Sequence, residues 1–189
     1  MDGSALVVGV DIDDVLYDWS GRAHQLSVQA GLAGEVRAIT SWTPHREYGC
    51  TAEQWWEVIE SGIHDGSLFG APPIAGAIGA LQQLRAAGHQ IHLVTARGSG
   101  GFSPYAAAVR QQTHEWAARH GIPYDDLTFT ADKARVRTDY FVDDSADNVV
   151  AIRQTGSRVY VMDRPWNSHL DHPHRVRHIT EFAAAVLSA

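Results

Sequence analysis

The chain has 189 residues and a mass of 20.7 kDa, which at roughly 150 residues per domain predicts one domain, or one with a modest insertion. Hydrophobic residues at 44% and charged residues at 20% lie near globular averages and argue against disorder, while every apolar run falls far short of the ~18 residues of a membrane span. A net charge of −7, from 15 Lys and Arg against 22 Asp and Glu, is the wrong sign for a phosphate-backbone footprint, so neither a membrane nor extended nucleic acid is expected as a partner.

The lone Cys50 supplies neither an intrachain disulfide nor a multi-cysteine zinc site. The 11 His residues are dispersed, with no HExxH-type spacing. An acid near the N-terminus and no cleavage site after the first apolar run predict a cytoplasmic protein.

In chain order, Ala5 to Val10 reads as a buried parallel strand that ends in Asp11-Ile12-Asp13-Asp14. From Trp19 to about Pro73 no strand-like run occurs. That stretch holds a helical segment from Ser20 to Leu32, a turn-rich piece from Ser41 to Cys50, and a helix opened by Thr51, whose pairing with Gln54 fits a capping box. Residues 18–73 are therefore read as a mostly helical cap inserted after the first strand, with Pro72-Pro73 as the hinge back to a core made of 1–17 and 74–189.

Beyond the hinge, helix and strand alternate. Helices are predicted over Ile74–Ala87, Tyr105–His120 and Ala146–Gln154, with Gly88, Gly121 and Gly156 placed as C-caps. Strands are predicted over Gln90–Thr95, Leu127–Thr130, Tyr140–Val142 and Arg158–Met162. A loop then precedes a closing helix from Ile179 to Leu187. The pattern calls for an α/β fold with a doubly wound parallel sheet, whose ligands bind beyond the carboxyl ends of the strands.

Chemistry-bearing residues fall at those ends. Asp11 and Asp13, separated by one residue, suit a nucleophile on phosphorus and a neighbouring acid/base. Thr95 ends the second strand, where its hydroxyl and the backbone at Ala96 are placed to hold phosphoryl oxygens. Lys133 follows the third strand and can neutralise phosphate, and Asp143 and Asp144 follow the fourth, suited with Asp11 to an oxygen-rich Mg²⁺ site. Taken singly, these are a cap, a surface lysine and a helix-capping pair. Taken in one order at successive strand ends, they resemble the motifs of the haloacid dehalogenase-like phosphatases. Receiver domains share the residue types but place their lysine last, whereas here the acid pair follows Lys133.

That resemblance implies Asp144 as the direct ligand, with Asp143 close by and Asn148 supporting. A shift of one residue would make the pair Asp143 and Asp147. It also implies a metal contact at Asp13 through its backbone carbonyl.

Tyr17, Trp19, Trp42, Tyr48, Trp55 and Trp56 lie in or beside the cap, and flat aromatic faces stack nucleobases. One of the adjacent Trp55 and Trp56 is expected in the core; Trp19, Trp42, Tyr48 and Arg97 are the pocket candidates. From Val7 to Phe182 the chain resembles the 5′-nucleotidase, deoxy family of that superfamily. The resemblance is carried by the Asp-x-Asp-x-Val-Leu-x-Asp-Trp start, the helix from Val109 to His120 with Trp116, Phe129-Thr-Ala-Asp-Lys133, Val142-Asp-Asp144 and Asp163-Arg-Pro-Trp-Asn167. It implies Mg²⁺-dependent hydrolysis of nucleoside monophosphates, often deoxyribonucleotides, through an aspartyl-phosphate, and leaves a homodimer open.

Two departures stand out. Asp14 replaces a common Gly, and Thr95-Ala96-Arg97 replaces a Thr-Ser-Pro type of sequence, so Arg97 is expected to add a phosphate or loop contact. The rival readings are a phosphatase for a sugar phosphate, its cap aromatics serving only as packing, and a non-catalytic nucleotide-binding module.

Overall fold

A computed structural model describes residues 5–35, 39–99 and 104–189. Its centre is a six-stranded, all-parallel sheet in the order β3-β2-β1-β4-β5-β6. The strands are β1 (Val7–Val10), β2 (Gln90–Thr95), β3 (Asp126–Phe129), β4 (Tyr140–Asp143), β5 (Arg158–Met162) and β6 (Arg175–Val176). The helices are α1 (Trp19–Gln29), α2 (Pro44–Tyr48), α3 (Ala52–His64), α4 (Ala77–Ala86), α5 (Ala106–Arg119), α6 (Ala146–Arg153) and α7 (Ile179–Leu187), with 3₁₀ turns at Lys133–Arg135 and Pro165–Asn167.

Side-chain alternation along each strand separates two apolar layers. Val8 and Val10 stand in register with Ile91 and Leu93 on one side and Tyr140 and Val142 on the other. These residues belong to the larger buried cluster, together with Leu81 and Leu84 of α4 and Phe182 and Val186 of α7. Val94, Phe141, Val159 and Val161 form the second cluster with Val149 and Ile152 of α6. Gly9 serves close packing: a Cβ there would lie 2.3 Å from the Phe141 ring and 2.9 Å from Thr138, so the bare backbone lets β4 pack its aromatic ring across β1.

β2 and β5 have the predicted bounds. β1 begins two residues later than predicted, and β3 and β4 differ by one residue at their ends. Gly88, Gly121 and Gly156 have φ of 88°, 61° and 95°, the left-handed backbone that favours Gly after a helix. Two elements differ from expectation. Pro44–Tyr48, read as a turn, is a short helix started by Pro44 and stopped by Gly49 at φ 73°. The loop before α7 contains β6, only two residues long and so too short to show a period.

The chain leaves the sheet after β1 and runs as far as Ile74, just before α4, where the Ile74 N–H donates back to Leu16 O in the loop after β1 at 2.8 Å. Between these points lie α1, α2 and α3. Asp18 caps α1 by accepting from Gly21 N, and Thr51 and Gln54 form the expected capping box of α3. α3 packs on α1, α2 and α5. The Tyr17 hydroxyl donates to Leu68 O at 2.5 Å, fastening the end of this segment to the β1 loop. The strand order reverses between β1 and β4, which opens a crevice at their carboxyl ends.

Candidate active site

That crevice receives the acids. Asp11 follows β1, with its N–H still in the sheet on Val142 O at 3.1 Å. Asp143 ends β4 and Asp144 follows it. Oxygen atoms of Asp11, Asp143 and Asp144 lie within 4.8 Å of one another, and all three residues are buried.

Lys133, delivered by the 3₁₀ turn after β3, is also buried and reaches Asp11 Oδ1 at 2.7 Å and Asp143 Oδ2 at 2.8 Å. Asp143 is fully committed: Oδ1 accepts from Ser145 N at 2.9 Å and Asn148 Nδ2 at 3.1 Å, and Oδ2 accepts from Lys133. Asp11 Oδ1 accepts from Ile12 N, and Asp144 Oδ2 from the Trp166 indole at 2.8 Å. Among the described residues, Asp11 Oδ2 and Asp144 Oδ1 have no donor. Two open, hard oxygens beside a saturated third carboxylate form a donor set that suits a divalent cation.

Electrostatics agree with this geometry. Burial raises the Asp11 pKa to about 7, opposed by the Lys133 charge and reinforced by those of Asp143 and Asp13. Burial also raises Asp144, with the charges of Asp11 and Asp143 adding to the effect. Burial disfavours the Lys133 ammonium, but Asp11 and Asp143 outweigh it and hold its pKa above the ordinary value.

The raised carboxyls bind protons more tightly in the folded chain than in the unfolded one. Their contribution to stability is therefore complete below the ordinary carboxylate range and is lost as pH rises toward about 7. In EDTA, the Tm of Asp11→Asn should gain on that of wild type as pH rises from about 4 to about 8. A Tm difference that stays constant across this range would refute the assignment of Asp11 as the strained acid.

Asp13 is placed differently. Its carboxylate stands outside the three-acid cluster and is gripped by Arg97, whose Nε donates to Oδ1 and Oδ2 at 2.9 and 3.0 Å and whose Nη2 donates to Oδ1 at 2.5 Å. The Arg97 guanidinium is buried, bonded to Asp13 and packed on Phe69 of the loop after α3, and the residue lines the cleft. Thr95 is also fully buried, and its hydroxyl accepts from Arg97 N at 3.2 Å.

A cleft of about 460 Å³ joins Asp11, Asp13, Lys133 and Asp144 to Ala96, Arg97, Trp19, Trp42 and Trp56. An aromatic recess of about 230 Å³ continues from it between Trp19, Trp42, Trp55, Trp56 and Trp166. Trp55 is core-buried while Trp56 is half exposed on the cleft, a split that follows from their adjacency on α3. Tyr48 does not line the cleft, which corrects its assignment: α2 turns it toward α1, where its hydroxyl meets His24 Nδ1 at 2.9 Å.

Trp166, Asn167 and Asp14, which the sequence offers only as members of a motif stretch or as a departure from Gly, take part in the site. The indole of Trp166 and the amide of Asn167, which donates to Asp144 O at 2.7 Å, hold Asp144 from a loop more than twenty residues away. Nothing local to either partner signals that contact. Asp14 has φ 56°, the left-handed backbone in which Gly is at ease and Asp is among the better tolerated side chains. Its carboxylate accepts from Ser20 N and Oγ at 3.1 and 2.7 Å, and burial raises its pKa to about 6 against those bonds. The departure from Gly is thus accommodated by an added tether to α1.

Among the described residues no helix is long and apolar enough to cross a membrane. Residues 5–189 match the family model for 5′ nucleotidase, deoxy (pyrimidine), cytosolic type C protein. A Chlorobaculum tepidum protein provisionally named a 5′(3′)-deoxyribonucleotidase is 30% identical over 175 residues, spanning 90% of this chain and 85% of that protein. Among solved structures, a haloacid dehalogenase-like hydrolase from Streptococcus pneumoniae superposes with a TM-score of 0.64 at 12% identity, covering 97% and 99% of the two chains. A hydrolase of the same superfamily from Bacillus subtilis, solved bound to magnesium, gives 0.63 at 13% identity, covering 99% and 100%. The fold is that of the superfamily, and the chemistry follows the family: the chain is a nucleotidase, a phosphoric monoester hydrolase that belongs to the 5′-nucleotidase, deoxy (pyrimidine), cytosolic type C family.

Proposed function

We propose that the protein hydrolyses nucleoside monophosphates, deoxyribonucleotides among them, in a Mg²⁺-dependent reaction through an aspartyl-phosphate on Asp11. The observation that carries this reading is the placement of a buried carboxylate, Asp11, at 2.7 Å from Lys133 Nζ in a cleft whose far wall is aromatic. Asp11 and Asp144 would hold the metal with the Asp13 carbonyl, and Asp143 would support them by fixing Lys133. When bound, the cation would neutralise charge on the transferring phosphoryl group.

The residues then divide the work. Asp11 attacks phosphorus, the bond from phosphorus to the ester oxygen breaks, and Asp13 gives its proton to that departing oxygen, which leaves as the nucleoside hydroxyl. Asp13 next takes a proton from water as the water oxygen attacks phosphorus, and the bond to Asp11 breaks, releasing phosphate and the free carboxylate. Lys133 holds charge in place throughout. Helices α1 to α3 act as the cap of residues 18–73, and their aromatics receive the base.

Phosphate release from a panel of nucleoside monophosphates and sugar phosphates, with Mg²⁺ and with EDTA, tests the whole reading. Mg²⁺-dependent turnover that favours nucleotides supports it, and turnover of sugar phosphates alone would overturn the part played by the aromatics. Trp42 and Trp56, 64% and 52% exposed, can be truncated at little cost to the core. Stacking is worth ~1–3 kcal/mol per base, so Trp56→Ala should raise KM for nucleotides roughly 5- to 150-fold and leave sugar phosphates unaffected. An unchanged nucleotide KM in both Trp42→Ala and Trp56→Ala would remove the base-stacking assignment.

A further inference from the structure

Arg97 is a buried cation, its side chain 2% exposed. Its guanidinium carbon lies 4.4 Å from the ring centre of Phe69, 4.9 Å from Tyr17 and 5.6 Å from Trp116. Those rings come from three separate parts of the chain: the β1 loop, the segment returning from α3, and α5. Thr113 Oγ1 lies 3.5 Å from Nη1, and the backbone N–H of Arg97 donates to Thr95 Oγ1. Nε and Nη2 converge on one carboxylate, that of Asp13, with Nε bridging both oxygens and Nη2 on Oδ1.

An arginine clamped by three rings has few rotamers left, and a planar fork transmits that rigidity to the carboxylate it grips. Asp13 is 28% exposed at its side chain and would otherwise be free to turn in the cleft. We propose that Arg97 is a positioning residue for Asp13. It fixes the carboxylate that exchanges protons with the leaving group and with water, and it acts on catalysis through Asp13 rather than by touching phosphate. The ring cluster also includes Phe69, so the position of Asp13 is tied to the segment that joins α3 to the core. This proposal rests on the reading of Asp13 as the acid/base.

A double-mutant cycle on the full chain, assayed with a nucleoside monophosphate and Mg²⁺, tests it. A displacement of a reacting group by about 1 Å costs on the order of 100-fold, so Arg97→Met should lower kcat by about that factor and leave KM within about twofold. Arg97→Lys keeps a cation among the rings without the fork and should recover about tenfold of the loss. In an Asp13→Asn background, Arg97→Met and Arg97→Lys should each change kcat less than about twofold, because the group they act through is gone. If Arg97→Met does not fold, the lysine variant closes the cycle alone.

A tenfold or greater rise in KM, or losses that multiply in the double variant, would overturn the proposal and make Arg97 a phosphate or purely structural residue. An Asp13→Asn enzyme as active as wild type would instead overturn the acid/base reading, and this proposal with it.

Discussion

Asp11→Asn is expected to abolish phosphate release, lowering turnover by on the order of 10⁴-fold or more, while the chain folds at least as well as wild type. The amide oxygen can still accept from Ile12 N and Lys133, the two donors that Asp11 Oδ1 now engages at 2.7 Å each. It cannot serve as an anionic nucleophile on phosphorus. Stability should move the other way. Three buried carboxylates share the single lysine that touches Asp11 and Asp143, and burial already pushes Asp11 up to about 7.

Removing one negative charge relieves that strain, so in EDTA above about pH 7 the Tm of the variant should equal or exceed that of wild type. Phosphate-release assays and thermal melts followed by circular dichroism read the two halves separately. Retention of activity within about tenfold of wild type would sink the nucleophile assignment. A large fall in Tm in EDTA would mean that the carboxylate is a structural anchor rather than a functional group held at a cost.

Much of the site was legible because its residues sit at strand ends, where hydrophobic runs stop abruptly. Val7–Val10 gives way to Asp11, Gln90–Thr95 ends on the threonine, and Tyr140–Asp143 closes on an acid. A parallel sheet brings these ends to one edge whatever the loops between them do. The same logic fails for contacts made across the fold. Arg97 and Asp13 are 84 residues apart, and the sequence offers for Arg97 only a phosphate or loop contact; its partnership with Asp13 depends on how α5 and the Phe69 segment surround the guanidinium.

Aromatic residues show the same boundary. That Trp55 and Trp56 must point apart on α3 follows from helical geometry, but which one faces the cleft depends on packing against α1 and α5. Tyr48 looked equivalent to Trp42 in the sequence. The short helix α2, unseen as a helix, turned it toward His24. The two-residue β6 and the 3₁₀ turn at Pro165–Asn167 carry almost no periodic signal, yet the turn supplies both groups that hold Asp144.

Lys133→Met should be the most damaging single change to stability near the site. Lys133 Nζ is the cation in contact with Asp11 and Asp143, its side chain is 2% exposed, and Asp143 is wholly buried. Removing one partner from a buried ion pair leaves the other charge unpaired, at a cost of ~3–5 kcal/mol. Asp143 keeps its bonds from Ser145 N and Asn148, which places the expected loss toward the lower end of that range.

The loss should depend on pH with a definite sign. Without the ammonium, the folded-state pKa of Asp11 rises further above its unfolded value, so the variant binds protons more readily when folded, and its deficit shrinks as pH falls toward about 7, where Asp11 of the wild type also takes up its proton. Mg²⁺ should also recover part of it, because on the proposed reading a divalent cation held by Asp11 and Asp144 would replace the missing positive charge. Urea denaturation of wild type and variant at about pH 5 and about pH 8, with EDTA and with Mg²⁺, measures all of these effects. A deficit that is equal at both pH values and insensitive to Mg²⁺ would mean that Lys133 contributes packing by its aliphatic stem and not charge. In that case the lysine could not be the group that balances the phosphoryl charge, and the loss of turnover in the same variant would have to be explained by a displaced Asp11 alone.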